Sequence, residues 1–210
     1  MFQIESNRFE EAYKRIAELV TELKGDGHDI QVIDIGGGLG ITYEDEVIPS
    51  KEEYAAIAKK QLDHLNCKII IEPGRSLLGN AGILVSSVVF VKTGEERQFL
   101  ILDAGMNDLV RPSMYEAHHE ILAVDISNDA IKTYDIVGPV CETGDSFAKA
   151  RQVNECNSGD LVAIMSSGAY GAVMSSSYNT RMLAPEVMVK GSDFSVVRQR
   201  PSYDEVINAD

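Results

Sequence analysis

Two short apolar runs constrain this chain most: "QVIDIGGGLG" at residues 31–40 and "KIIIEPGR" at residues 68–75. Each places β-branched residues in succession, so neither offers a polar face to water, as in a parallel strand covered on both sides. Each run then breaks at its C-terminal end. The first opens into four glycines within five residues, the second into a Pro-Gly corner flanked by Glu72 and Arg75. Residues 9–23 put Phe9, Ala12, Tyr13, Ile16, Leu19, Val20 and Leu23 on one helical face, and "KGDG" stops that helix. Ser50 and Glu53 have the spacing of a capping box, and Tyr54, Ile57, Ala58, Leu62 and Leu65 continue as an amphipathic helix. Residues 9–75 thus read helix, strand, helix, strand, an α/β arrangement with a parallel sheet.

Beyond about residue 83 the texture changes. "ILVSSVVFVK", "RQFLILDAG", "HEILAVD", "AIKTYDIVG" and "GDLVAIMSSG" are short strands separated by turn residues. The expected architecture is therefore α/β over residues 1–82 followed by an antiparallel β domain over residues 83–210. One or two βα units cannot close a barrel or cover a doubly wound sheet on their own, so residues 1–82 read as an incomplete part of a larger α/β arrangement.

The net charge of −14 argues against nucleic acid or an anionic membrane as partner, since both need clustered Lys and Arg. No run approaches the roughly 18 to 20 apolar residues of a membrane span, and the first residues lack a signal-peptide core, so cytoplasm is the expected compartment. The three cysteines, Cys67, Cys141 and Cys156, are scattered and have no C-x-x-C spacing, which suggests neither a disulfide framework nor zinc. His118 and His119 are adjacent, so on a strand they point to opposite faces, and no metal site is expected. Met165, Met174, Met182 and Met188 read as core or gap-filling residues.

Chemistry belongs at the C-terminal ends of parallel strands. "GGGLG" lets backbone N–H groups approach an anion without Cβ obstruction, as a phosphate requires. Alone it is more simply a turn, and it lacks the G-x-G-x-x-G pattern of dinucleotide sites. "EPGR" adds a carboxylate and a guanidinium at a second strand end, which taken alone is a surface ion pair. Together the two describe a phosphorylated ligand that also needs a carboxylate partner.

"VIDIGGGLGITY", "IIIEPGRSLLGNAG", "ILDAGMNDLVRPSMYEA", "GPVCETGD" and "SSGAYGAVMSSSYNTR" resemble, in that order and spacing, the C-terminal half of the diaminopimelate decarboxylases. These are pyridoxal 5'-phosphate enzymes built from a (β/α)8 barrel and a β domain. The resemblance covers nearly the whole chain and implies the C-terminal part of that barrel followed by the β domain. It implies that Glu72 pairs with the protonated ring nitrogen of the cofactor. It assigns the phosphate to Gly37, Gly38, the turn Pro73-Gly74-Arg75 and the hydroxyl of Tyr170. Arg75, Arg111, Tyr115 and Tyr170 would contact the amino-acid substrate, the two arginines and Tyr115 gripping carboxylate; the planar fork of Arg suits that group. Cys141 would protonate the carbon left by loss of CO2, and Glu142 would bind the distal ammonium. In the family this Cys-Glu loop enters the neighbouring subunit's site, so a homodimer with shared sites is implied, with Asp145 anchoring the loop. Cys67 and Cys156 have no such neighbours and are taken as structural.

The implied reaction is decarboxylation of meso-2,6-diaminopimelate to L-lysine. Related decarboxylases of ornithine, arginine or carboxynorspermidine share the fold, and a non-catalytic cofactor-binding or dimerising fragment is a further alternative. The family's cofactor-bonding lysine lies in a motif reading approximately Y-A-x-K-A-N. None of the ten lysines here sits in that setting, and Lys149 in "SFAKAR" reads as the start of an exposed segment. The family's ring-stacking His is likewise unmatched, the only histidine upstream of the glycine cluster being His28 in "GDGHD". The chain is therefore expected to be part of a longer enzyme and inactive alone.

Overall fold

The computed structural model describes residues 6–126 and 130–208, and the chain divides into two units, Met1–Asn80 and Ala81–Asp210. The first unit holds α1 (Ser6–Gly25), β1 (Val32–Asp34), α2 (Lys51–Leu62), β2 (Lys68–Ile70) and the short α3 (Gly74–Leu78). The capping box at α2 forms as expected: Glu53 N donates to Ser50 Oγ at 3.1 Å, and Ser50 N donates to Glu53 Oε2 at 2.7 Å. Strands β1 and β2 pair in parallel, with Ile33 opposite Ile69.

The core of this unit is Phe9, Tyr13, Ala17 and Val20 of α1, Tyr54, Ala58 and Leu62 of α2, and Ile33 and Ile35 from the first strand run. Phe9 and Tyr54 meet edge to face at 5.1 Å between ring centres, a favourable aromatic geometry. Two expectations are corrected here. The buried arc of α1 is turned toward Ala17, so Ala12 is exposed and Leu19 is 55% exposed. The strands are also not covered on both faces: Val32, Ile70 and Ile71 are exposed, because α1 and α2 share one core with Ile33, Ile35 and Ile69 on a single side.

The second unit is built on β3 (Leu84–Thr93), β4 (Gln98–Leu102), β5 (Ile121–Ala123), β6 (Ile131–Val137), β7 (Ser146–Asn154) and β8 (Leu161–Ile164), with α4 (Arg111–Tyr115) between β4 and β5. They form one sheet in the order β5-β8-β3-β4-β6-β7. Every neighbouring pair is antiparallel except β4 and β6, which run parallel with Leu100 opposite Ile136. The long connection from Asp103 to Ala130, which carries α4 and β5, makes a parallel return possible. Arg151 of β7 donates to the carbonyl of His119, just before β5, at 2.8 Å, so the two ends of the sheet approach each other and nearly close it. Inside lie Val88, Leu100, Leu102, Ile121, Tyr134, Ile136, Phe147, Val162 and Ile164.

The five strands expected from the sequence are all present, and three more were not expected. Strand β7 contains "SFAKAR", where Lys149 is exposed as anticipated but lies inside a strand. Ala150 breaks its alternation with a φ of 47°, held by a hydrogen bond from its N–H to Asp135 Oδ1 at 2.8 Å. Strands β9 (Glu186–Lys190) and β10 (Asp193–Arg198) form a hairpin turning at Gly191, whose φ of 62° suits glycine. Met188 lies on this hairpin and is 64% exposed, so it is not the core residue expected, whereas Met165, Met174 and Met182 are half-buried. A short helix, α5 (Tyr203–Ile207), follows. Among the described residues no helix is long and apolar enough to cross a membrane.

Two glycines of the first unit give opposite expectations. A Cβ at Gly37 would run into the carbonyl oxygen of Glu72, a backbone atom that cannot swing aside, whereas a Cβ at Gly74 meets nothing within 4 Å. Gly37→Ala should therefore destabilise the protein by about 1–3 kcal/mol, and Gly74→Ala, at the start of α3, should be nearly neutral. Urea unfolding followed by circular dichroism measures both; equal losses would mean that the two strand ends are not held as tightly as their packing indicates.

Candidate functional site

The strand ends of the first unit are brought together by backbone hydrogen bonds. Ile35 N donates to Ile70 O at 3.0 Å and Glu72 N to Gly36 O at 2.8 Å, so the glycine run and the "EPGR" corner lie side by side. Asp34 Oδ1 accepts from Gly36 N at 2.8 Å, which turns the chain out of the strand. Gly36 and Gly38 have φ of 68° and 91°, conformations that glycine adopts without strain. Among the described residues the N–H groups of Gly37 and Gly38 donate to nothing. The carboxylate of Glu72 is exposed and has no hydrogen-bond or ion-pair partner among the described residues. Gly74 differs: its N–H donates to Glu72 O at 2.9 Å, so it is not an available anion donor. Pro73 and Arg75 are half-buried beside it, with Arg75 in the first turn of α3.

In the second unit the motifs separated in sequence converge on one buried carboxylate. Asp145 is 4% exposed; its Oδ2 accepts from Val140 N at 2.6 Å and its Oδ1 from Met106 N at 2.7 Å. A Cβ at Gly138 would collide with that carboxylate, so glycine is what lets it enter. Ser113 Oγ of α4 donates to the carbonyl of Gly144, and Ser176 N donates to Asn107 O at 2.9 Å. Arg181 Nε reaches Asn107 Oδ1 at 2.9 Å. The loops "DAGMND", "GPVCETGD" and "SSSYNTR" and the helix α4 are thereby tied into one cluster. On it Cys141 and Glu142 are exposed, and Glu142 Oε1 accepts from Thr143 N at 3.0 Å.

Cys141 is the one exposed cysteine; Cys67 is half-buried and Cys156 buried, the latter's thiol pushed up by burial and bonded to Asn154 O at 3.2 Å. Arg111 and Tyr115, at the two ends of α4, have different surroundings. Tyr115 is 59% exposed, whereas Arg111 is only 7% exposed. Arg111 Nη1 lies 2.9 Å from His119 Nε2, and His119 Nδ1 lies 2.8 Å from Met165 O. Tyr170 is exposed and has a φ of 61°, an uncommon conformation for a tyrosine, beside the tightly packed Gly171.

His119 is the residue that sequence reasoning missed. The adjacent histidines were weighed as metal ligands, yet the ring of His119 faces Arg111 and that of His118 faces Arg151 at 3.1 Å. The available signal was the eight-residue spacing from Arg111, but only the turn after α4, with Glu116 at a φ of 51°, brings the two together.

A carboxylate and neighbouring amides that nothing among the described residues engages suit a cationic ring nitrogen and a phosphate, two groups of pyridoxal phosphate. The family model for pyridoxal-dependent decarboxylase, C-terminal sheet domain, matches residues 13–168. The diaminopimelate decarboxylase of Zymomonas mobilis is 49% identical over 201 residues, covering 95% of this chain and 48% of that protein. The diaminopimelate decarboxylase of M. jannaschii in complex with L-lysine superposes with a TM-score of 0.94 at 33% identity, covering 99% of this chain and 49% of that one. That of Helicobacter pylori complexed with L-lysine gives 0.91 at 36% identity, covering 98% of this chain and 51% of that one. The chain thus spans about half the length of the curated relatives it matches. From the 156-residue match and the agreement of fold, this chain belongs to the pyridoxal-dependent decarboxylases and carries their C-terminal sheet domain.

Proposed function

We propose that this chain supplies the C-terminal half of a cytoplasmic, homodimeric enzyme that decarboxylates meso-2,6-diaminopimelate to L-lysine with pyridoxal 5'-phosphate. The observation that carries the reading is the pair of strand ends in the first unit: unused glycine amides beside an exposed carboxylate that nothing in the described chain engages. The names of the relatives supply the substrate.

When bound, the cofactor supplies an electron sink for the pair left behind as CO2 departs. The residues of this chain hold and tune that chemistry. Glu72 keeps the ring nitrogen protonated by offering it a carboxylate. Gly37 and Gly38 donate their amides to the phosphate, with the backbone at Arg75 and the hydroxyl of Tyr170; the turn at Pro73 and Gly74 sets the close approach without adding the Gly74 amide. Arg75, Arg111 and Tyr115 hold substrate carboxylates. Cys141 delivers a proton to the α-carbon in the neighbouring subunit, and Glu142 pairs there with the distal ammonium. An extra distal carboxylate distinguishes diaminopimelate from ornithine or lysine, and a buried, oriented arginine is the group that rewards it. The exposed apolar residues Val32, Ile70 and Ile71 fit strands that continue into a barrel.

Three outcomes are expected, each measured on this chain combined with the separately expressed N-terminal half of a relative. CO2 release from diaminopimelate should require both halves; robust turnover by the 210 residues alone would show that they form a complete site. Arg111→Ala should lower kcat/KM for diaminopimelate by about 10- to 150-fold, the range for a lost charge-assisted hydrogen bond, and affect a monocarboxylate diamino acid far less. An equal loss on both substrates removes Arg111 from the distal-carboxylate role. Mixing Cys141→Ala and Glu72→Ala assemblies, each inactive, should restore part of the activity, because a hybrid dimer holds one intact site. No recovery on mixing means that each site is built within one subunit.

A further inference from the structure

A guanidinium has only N–H donors and is always charged. At 2.9 Å from Arg111 Nη1, His119 Nε2 must therefore be the acceptor and carry no proton. The single ring proton then sits on Nδ1, where it is donated to Met165 O at 2.8 Å. Both ring nitrogens are used and the residue is 1% exposed, so the imidazole is locked in one tautomer and one orientation. Its backbone is fixed as well, since Arg151 Nη1 donates to the His119 carbonyl.

We propose that His119 is a positioning residue for Arg111: a neutral imidazole that aims the guanidinium at a substrate carboxylate without setting an opposing charge against it. The inference rests on the carboxylate-binding reading of Arg111 given above. A carboxylate in place of His119 would grip Arg111 more firmly, through a charge-assisted bond, but would compete with the ligand for the same charge. Water in that place would leave the long side chain to be ordered at the moment of binding, at a cost in affinity. A neutral acceptor avoids both. Burial, with the nearby charges of Arg111, His118 and Arg151, pushes His119 down to about 4, and only the hydrogen bond to Met165 opposes the shift, so the ring stays neutral near pH 7. Met165, half-buried just after β8, acquires a role through its carbonyl that its side chain did not suggest.

The test uses the full chain labelled with 15N. At pH 7 a long-range imidazole spectrum should show His119 protonated at Nδ1 alone, and an Arg111 side-chain N–H should exchange slowly with water. His119→Leu should abolish that slow exchange, and His119→Gln, which keeps an acceptor toward Arg111 and a donor toward Met165, should restore it. In the assembled enzyme, His119→Leu should raise KM for diaminopimelate about tenfold or more with kcat little changed, and His119→Gln should recover most of the loss. A ring protonated at Nε2 or doubly protonated, or an Arg111 N–H unaffected by His119→Leu, overturns the proposal. If His119→Leu does not fold, the tautomer and the Gln variant still decide it. If Arg111→Ala leaves KM unchanged while the tautomer and slow exchange are as expected, it is the substrate reading of Arg111 that fails.

Discussion

Two backbone N–H groups distant in sequence, those of Met106 and Val140, end on the buried carboxylate of Asp145. A buried charge is costly unless hydrogen bonds replace its hydration, and N–H donors to a carboxylate are among the stronger ones. The same residue closes its own loop, since Gly138 N donates to Asp145 O and Asp145 N to Glu142 O, each at 3.0 Å. Cys141 and Glu142 are therefore exposed on a segment fastened at both ends. On the proposed reading, in which this loop enters a neighbouring subunit's site, that combination keeps the ordering cost low: exposed side chains on a backbone already fixed before contact.

The first unit uses close main-chain approach instead of a charge. Gly37 lies so near the carbonyl of Glu72 that no side chain fits between them, and the two strand ends become a single edge. That edge sets Gly37 directly against the main chain of Glu72. Because Gly74 spends its own N–H on Glu72, the corner keeps its shape without help from a ligand. Glycine thus has two meanings in this short stretch. At Gly38 it permits a left-handed conformation; at Gly37 it permits contact.

How much was legible depended on whether a feature was local. The capping box of Ser50 and Glu53, the buried seam of Tyr54, Ala58 and Leu62, and the strand ends at Gly36 and Glu72 are all written within a few residues. Strand β7 was not, because Lys149, Arg151 and Gln152 dilute its alternation and Ala150 interrupts it with a bulge-like φ held by Asp135 from a neighbouring strand. The exposed Met188 misled for a related reason: a hairpin with apolar residues on view imitates a core strand in sequence. The parallel pairing of β4 and β6 also could not be read, since it depends on where a long connection returns. Of the site, the candidate residues and one support, Asp145 beneath the Cys-Glu loop, were named by resemblance, but the support of Arg111 was not. His119 meets Arg111 only through the turn after α4 and meets Met165 only across the sheet.

Two of the buried polar anchors of the second unit, Asp145 and His119, differ according to charge. Asp145 holds backbone amides, which carry no net charge, so an ionised carboxylate strengthens the contact and nothing is lost by using it. Arg111 is itself the group that a ligand carboxylate would seek, and a second carboxylate at the position of His119 would take part of what the ligand needs. A neutral imidazole, with its proton committed to Met165, is an acceptor that fixes the guanidinium without adding a negative charge of its own. Adjacent histidines in a sequence therefore need not signal a metal. When one of them lies within reach of a buried arginine, its lone pair has another use, and burial keeps the ring neutral in that role.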